Sequence, residues 1–218
     1  PKDLDIIQIK QRSAEVLTYF KQDLRRHELV LILAERHCAE AGLEVGALYE
    51  IMLPRHFVTP VAPGTRHVTL GGMVASDIHG RNHHVAGTFG THVRSLRMRV
   101  GDGRILTCSR EEHPDLFCAT LGGMGLTGHI LEVEVYLKRV ESQWIYEESS
   151  RLPTLDEVFA NLRESSATWP MTVAWIDTSS TGSQLGRGIV MRARGATADQ
   201  APSTKPPATP HLRLPFDF

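Results

Sequence analysis

The chain has 218 residues, 41% of them hydrophobic and 22% charged, enough to bury one large core or two small ones. Its formal charge of −1 leaves no basic surplus to neutralise a run of phosphates, so no nucleic-acid partner is expected. Three widely spaced cysteines, Cys38, Cys108 and Cys118, form neither a CxxC knuckle nor a disulfide framework, and a reducing, cytoplasmic setting is expected.

In chain order, Leu4 to Ala34 places Leu4, Ile7, Leu17, Phe20, Leu24 and Leu31 among charged residues at a spacing that predicts a helix. Within it, the wholly apolar run Leu29–Ala34 is far short of the roughly 20 residues a membrane helix needs, so neither an anchor nor a signal peptide is expected. Pro1 rather than Met opens the chain, which suggests a processed protein or a piece of a longer one. A short strand is predicted over Cys38–Val45, then a brief amphipathic helix over Gly46–Pro54 that the proline stops. Ser95–Ser109 alternates apolar and polar residues on both sides of Gly101-Asp102-Gly103, which predicts an antiparallel hairpin. His113–Leu121 reads as a helix with Pro114 in its first turn, and His129–Lys138 as a strand. A boundary is placed near Glu141. Beyond it come a helix around Leu155–Arg163, strands around Met171–Asp177 and Gly188–Ala193, and a tail rich in Pro, Ala and Thr.

The segment between these elements that invites function is Val61–Val93. It carries glycines at 64, 71, 72, 80, 87 and 90 and histidines at 67, 79, 83, 84 and 92. Glycines at that density let backbone N–H groups come close to a ligand and build concavities that hold anions. A metal site is not expected: Gly80 interrupts His79 and His83, no HExxH is present, and Asp77 is the sole acid of the run. Asp77 either caps a turn or orients His79, and about half of the histidines should have only structural hydrogen-bonding roles. Gly123-x-Gly125-x-x-Gly128 matches a dinucleotide fingerprint in letters. However, a helix precedes it and a strand follows, the reverse of what that motif needs, so a tight packing turn is expected. There is no GxSxG elbow and no Walker loop.

The order PGTRHVTLGGMVASDIHGRNHH, GTFGTHV, the GDG hairpin and HPDLFCATLGGMGLTGHILEVEV resembles the FAD-binding (PCMH-type) domain of the vanillyl-alcohol-oxidase superfamily. Within that superfamily it is most similar to the oxidase subunits of decaprenylphosphoryl-ribose epimerases, and more distantly to aldonolactone and alditol oxidases. The resemblance runs from Cys38 to Glu141. It continues more weakly through AWID at Ala174–Asp177 and LGRG at Leu185–Gly188. It implies an α+β fold: an FAD-binding domain of mixed sheets flanked by helices, then the start of an antiparallel-sheet substrate domain. The expected division is a helical segment over 1–37, a partial FAD domain over 38–141, the start of the substrate domain over 142–198 and a Pro-rich tail over 199–218. FAD is the implied cofactor, and the implied reaction is oxidation of a sugar or polyol hydroxyl.

By the same resemblance Pro63, Gly64 and Thr65 would sit by the flavin, and Thr69, Leu70, Gly71 and Gly72 would contact the pyrophosphate and adjoining parts of FAD. Ser76, His79, Gly80, Arg81 and Asn82 would line the redox end, and Ile130 would pack against the cofactor. His79 is the implied catalytic residue, while Arg81 and Trp175 are the implied substrate contacts. A partner reductase subunit is also implied. The family's upstream RGxGRSYGD loop has no counterpart in residues 1–37, and its long C-terminal half has none here. The chain therefore reads as a shortened or altered member, the alternative being a non-catalytic FAD-domain remnant or a subunit that needs a partner chain.

Overall fold

The computed structural model describes residues 30–33 and 36–204. The chain divides into two compact units, Pro1–Arg139 and Val140–Phe218.

The first unit is built on a five-stranded sheet. Its strands are β1 (Val30–Leu33), β2 (Arg36–Glu40), β4 (Val93–Arg99), β5 (Ile105–Ser109) and β6 (His129–Tyr136), in the order β1-β2-β6-β4-β5. A separate two-stranded ladder joins β3 (Phe57–Val58) to β7 (Lys138–Arg139). Alternation sets the buried face of the large sheet. Val93, Leu96 and Met98 from β4 and Val133 and Val135 from β6 point into the core, where they meet Leu48, Met52, Leu70, Met73 and Phe117. The other face of the sheet is polar, with Arg97 donating to Glu132 at 2.6 Å and the Ser95 hydroxyl donating to Glu134 at 2.7 Å.

Four helices flank the sheet. α1 (Val45–Met52) buries Val45, Leu48 and Met52, a helical stripe, and runs into a 3-10 turn over Leu53–Arg55 that contains Pro54. α2 (Leu70–Ala75) is capped by Thr69, and α3 (His83–Ala86) is a single turn. α4 (Pro114–Thr120) starts with proline at its first position and buries Phe117. The hairpin, the α4 helix and the β6 strand therefore lie where the sequence predicts them, with β4 and β5 antiparallel and Ser95 opposite Ser109.

Two expectations need correction. Val30–Leu33, read as the end of a long helix, is strand β1, with Ile32 opposite His37 of β2. The run Leu29–Ala34 has no polar residue to reveal a period, so helix and strand could not be told apart there. The rest of that expected helix lies outside the described residues. The strand expected over Cys38–Val45 is shifted towards the N-terminus: pairing with β6 ends at Glu40, and Val45 opens α1.

In the second unit β8 (Ile145–Leu152), β9 (Met171–Ile176) and β10 (Gly188–Gly195) form a sheet in the order β8-β10-β9, next to α5 (Leu155–Thr168). Val158 of α5 and Val190 of β10 are buried. Where the chain returns from β10, the Arg194 guanidinium lies 4.7 Å over the ring of Tyr146, which stacks on Trp169 at 6.1 Å. Strand β8 is an element the sequence did not predict, and α5 runs five residues beyond its predicted end at Arg163. The α+β class holds for both units, and within it every described strand pair is antiparallel rather than mixed. The tail beyond residue 204 lies outside the described residues. Among the described residues no helix is long and apolar enough to cross a membrane.

Candidate functional site

The glycine-rich run of the first unit is held from two sides. Along one side it zips onto the segment before α1. Gly46 N–H donates to the Arg66 carbonyl at 3.0 Å and Val45 N–H to Val68 at 2.8 Å. Leu70 N–H donates to Leu43 at 2.9 Å and Gly71 N–H to Ala41 at 2.8 Å. The approach is close enough that a Cβ at Gly71 would lie 3.0 Å from the Ala41 methyl. Thr69 Oγ1 takes the Gly72 N–H at 3.1 Å, a side-chain cap for the first turn of α2. The N–H groups of Leu70, Gly71 and Gly72 are thus all satisfied within the protein, so the backbone donors expected here for a pyrophosphate are already engaged.

On the other side, the second glycine cluster docks on the end of α2. Gly122 N–H donates to the Val74 carbonyl at 3.0 Å and Met124 N–H to Ala75 at 2.8 Å, with Gly122, Met124, Gly125 and Gly128 all at positive φ. The cluster follows α4 and enters β6, so it opens no helix and is a packing turn. Asp77, itself at φ 39°, reaches across to accept the Gly90 N–H at 2.7 Å. It clamps the start of the following 3-10 turn, Phe89–His92, and its bond is to Gly90 rather than to His79.

Between these two supports the His79–Asn82 segment folds back onto the stretch that precedes Pro63. Asn82 Nδ2 donates to the Pro60 carbonyl at 2.7 Å, and a Cβ on Gly80 would run into the carbonyl oxygen of Ala62. The structure therefore brings the 63–65 and 79–82 runs together through their neighbours. His79 pairs with Thr88 in an isolated bridge and sets its ring edge-on to His83 at 5.7 Å. Gly64, Thr65, Gly72, Ser76, His79 and Arg81 are exposed, Pro63, Gly71 and Asn82 are half-buried, and Leu70 is buried. Ile130 is 9% exposed and belongs to the core at the start of β6. His92 has a structural bond, Nε2 to the Ala86 carbonyl at 2.8 Å. Among the described residues no group of three or more His, Cys, Asp or Glu is arranged to hold a metal ion.

The chemistry of this rim suits a dianionic, extended cofactor. Its one carboxylate, Asp77, is engaged with backbone, and Arg66 is paired with Glu50. Arg81 forms no ion pair or hydrogen bond among the described residues, which leaves it as an available cation. Gly64 has open space where a side chain would stand. The rim thus offers hydroxyls, one available guanidinium and no unpaired acid to a pyrophosphate-containing dinucleotide.

Trp175, the remaining residue expected to bind substrate, lies on β9 of the second unit and is 68% exposed. It lines a groove of about 650 Å³ together with Arg151, Pro153, Asp177, Arg187 and Ile189. Asp177 accepts from the hydroxyls of Ser180 and Ser179 and from their backbone N–H groups, bonds that hold its carboxyl well below the usual carboxylate range, and it also accepts from Arg187 Nε at 3.0 Å. Sequence reasoning singled out neither Arg151 nor the Asp177–Arg187 pair. Arg151 sits on the strand that it missed, whereas the other two lie within the quoted AWID and LGRG motifs without having been assigned a role.

Residues 21–109 match the FAD binding domain family, and this part of the chain is an FAD-binding domain of that family. The chain is a flavoprotein, and its cofactor is FAD. It is 40% identical over 167 residues to decaprenylphosphoryl-β-D-ribose oxidase of Mycolicibacterium smegmatis, covering 75% of this chain and 36% of that protein. It is 35% identical over 156 residues to a Streptomyces coelicolor protein described as an uncharacterized protein in the mprA 5' region, covering 72% and 42% respectively. FAD-linked oxidoreductase pynB of Aspergillus niger is 37% identical over 98 residues, covering 44% of this chain and 18% of that protein. The chain thus spans less than half the length of these relatives.

Proposed function

We propose that this chain is the FAD-binding portion of an oxidoreductase that oxidises a hydroxyl group of a sugar or polyol. The observation that carries the reading is the clamped rim itself: the 63–65 and 79–82 runs are drawn together by Asn82 and Gly80, with His79 and Arg81 exposed on it. The sugar class is supported by the name of the M. smegmatis relative, a ribose-derivative oxidase.

Oxidation of a carbinol removes a hydride from carbon and a proton from oxygen; FAD, when bound, supplies the acceptor for the hydride. The chain's own residues have to hold the cofactor, orient the substrate and receive the proton. Gly64, Thr65 and Ser76 present backbone and hydroxyl groups to FAD, with Pro63, Thr69, Leu70, Gly71, Gly72, Gly80 and Asn82 shaping the rim and Ile130 supporting it from the core. Arg81 provides charge for the cofactor or for a substrate oxygen. A ring nitrogen of His79 takes the hydroxyl proton, with its ring steadied by the His83 edge. Trp175 gives the second unit a flat wall for the substrate. The free state of Cys38, Cys108 and Cys118 supports a reducing, cytoplasmic location.

The test uses the FAD-loaded chain and a panel of sugars, polyols and phosphoryl sugars, following anaerobic bleaching of the flavin band. His79→Ala is expected to keep FAD affinity within about twofold and to slow bleaching by about a hundredfold or more, the scale of a lost general base. Equal bleaching rates in the variant would overturn the role of His79.

The same assay separates a second reading. In that reading it holds FAD without turning over, and a partner chain, a reductase subunit among the options, completes the site. Bleaching that begins only when a partner chain is added would select it.

A further inference from the structure

The groove of the second unit contains a cation with no ion-pair partner among the described residues. In antiparallel pairing, residues directly opposite each other share a face of the sheet. Ile189 of β10 stands opposite both Arg151 of β8 and Trp175 of β9, so the three form one row across the sheet. A Cβ on Gly188 would lie 3.1 Å from Val158 of α5, which places the helix on the Gly188–Val190 face. The Arg151–Ile189–Trp175 row therefore lies on the face that α5 leaves uncovered. Two strand spacings, roughly 10 Å, separate the guanidinium-bearing position from the indole.

The charges of the groove do not cancel. Asp177 and Arg187 satisfy one another, with two serines completing the shell of the carboxylate. Arg151 lines the same groove and forms no ion pair or hydrogen bond among the described residues. A volume of about 650 Å³ is in the range of small-molecule sites. Trp175 and Ile189 offer an apolar floor on which the C–H face of a sugar-sized body can lie, and a guanidinium presents a planar fork of donors matched to carboxylate or phosphate.

We propose that Arg151 is the specificity-determining residue of this groove, receiving an anionic group, phosphate or carboxylate, of a sugar-sized ligand that rests on Ile189 and Trp175. The inference rests on the reading of the second unit as the substrate-binding part.

The experiment titrates the full chain, without added FAD and at fixed ionic strength, with ribose 5-phosphate, ribonate and ribose while following tryptophan fluorescence. The native protein is expected to bind at least one of the two anions about tenfold more tightly than ribose, and the two anionic arms tell phosphate from carboxylate. Arg151→Gln should abolish that preference without weakening ribose binding or lowering the melting temperature, and Arg151→Lys should keep part of it. Trp175→Phe should remove the fluorescence response. An absence of anion preference in the native protein, a preference that survives in Arg151→Gln, or a response unchanged in Trp175→Phe would each overturn the proposal. A parallel FAD titration separates the two readings. Intact FAD binding without anion preference counts against Arg151 alone, whereas anion preference without FAD binding counts against the flavoenzyme reading alone.

Discussion

At Gly80 the distance between two backbones decides the shape of the rim. The missing side chain lets the His79–Asn82 segment settle against the carbonyl of Ala62, and Asn82 fixes it there through Pro60. Because the obstructing atom is backbone oxygen rather than a flexible side chain, Gly80→Ala cannot be absorbed by a rotamer change. A loss of about 1–3 kcal/mol is expected, the usual cost of overpacking, together with weaker FAD binding. Denaturant unfolding and flavin titration of the variant check both, and unchanged stability with unchanged affinity would refute the clamp. The sequence made the glycines visible as a group but not their separate jobs. Gly71 turned out to serve the zip to Ala41, Gly90 to receive Asp77, and Gly122 to dock on α2. Those jobs depend on partners 13 to 48 residues away, which no local pattern encodes.

Among the elements, legibility followed the clarity of the hydrophobic pattern. The β4–β5 hairpin and β6 could be read because one face of each is apolar and the other polar. Strand β8 could not, since Ile145, Glu147, Ser149 and Arg151 alternate with Tyr146, Glu148, Ser150 and Leu152, and neither set is uniformly apolar. It is placed by pairing with β10, including Arg192 donating to Glu148 at 2.7 Å, a contact 44 residues distant. Helix α5 extends past Arg163 through Glu164, Ser165, Ser166, Ala167 and Thr168, residues of mostly modest helical propensity. Burial of Ser165 and the Ser166 hydroxyl bond to the Leu162 carbonyl at 2.8 Å accompany that last turn. At its other end, Thr154 Oγ1 accepts the Glu157 N–H at 3.3 Å, and Asp156 and Glu157 complement the helix dipole. Thr154→Ala should lower the stability of the second unit by about 1 kcal/mol, measurable by thermal unfolding followed at the tryptophans, all three of which lie in that unit. A change below the error of that measurement would mean that the cap contributes nothing.

For the whole molecule, the division of labour follows from what each unit exposes. The first exposes glycines, hydroxyls, His79 and Arg81 around the clamped rim; the second exposes a tryptophan and an arginine across a sheet face. The motif order in the sequence led to the family of the first unit, because glycine clusters keep their spacing where backbone must pass close to backbone. The groove of the second unit was only half legible: Trp175 stood out within its motif, whereas Arg151 acquires meaning only from its register with Ile189. The claim on which the rest depends is that the folded chain binds FAD at the clamped rim. Titrating the 218-residue chain with FAD, followed by quenching of flavin fluorescence and by the melting temperature, tests it most directly. The account predicts saturation at one FAD per chain, with stabilisation of about 2.7 kcal/mol at a hundredfold excess over the dissociation constant and weaker binding by Gly80→Ala. A folded chain that neither quenches flavin fluorescence nor gains stability from added FAD would contradict it.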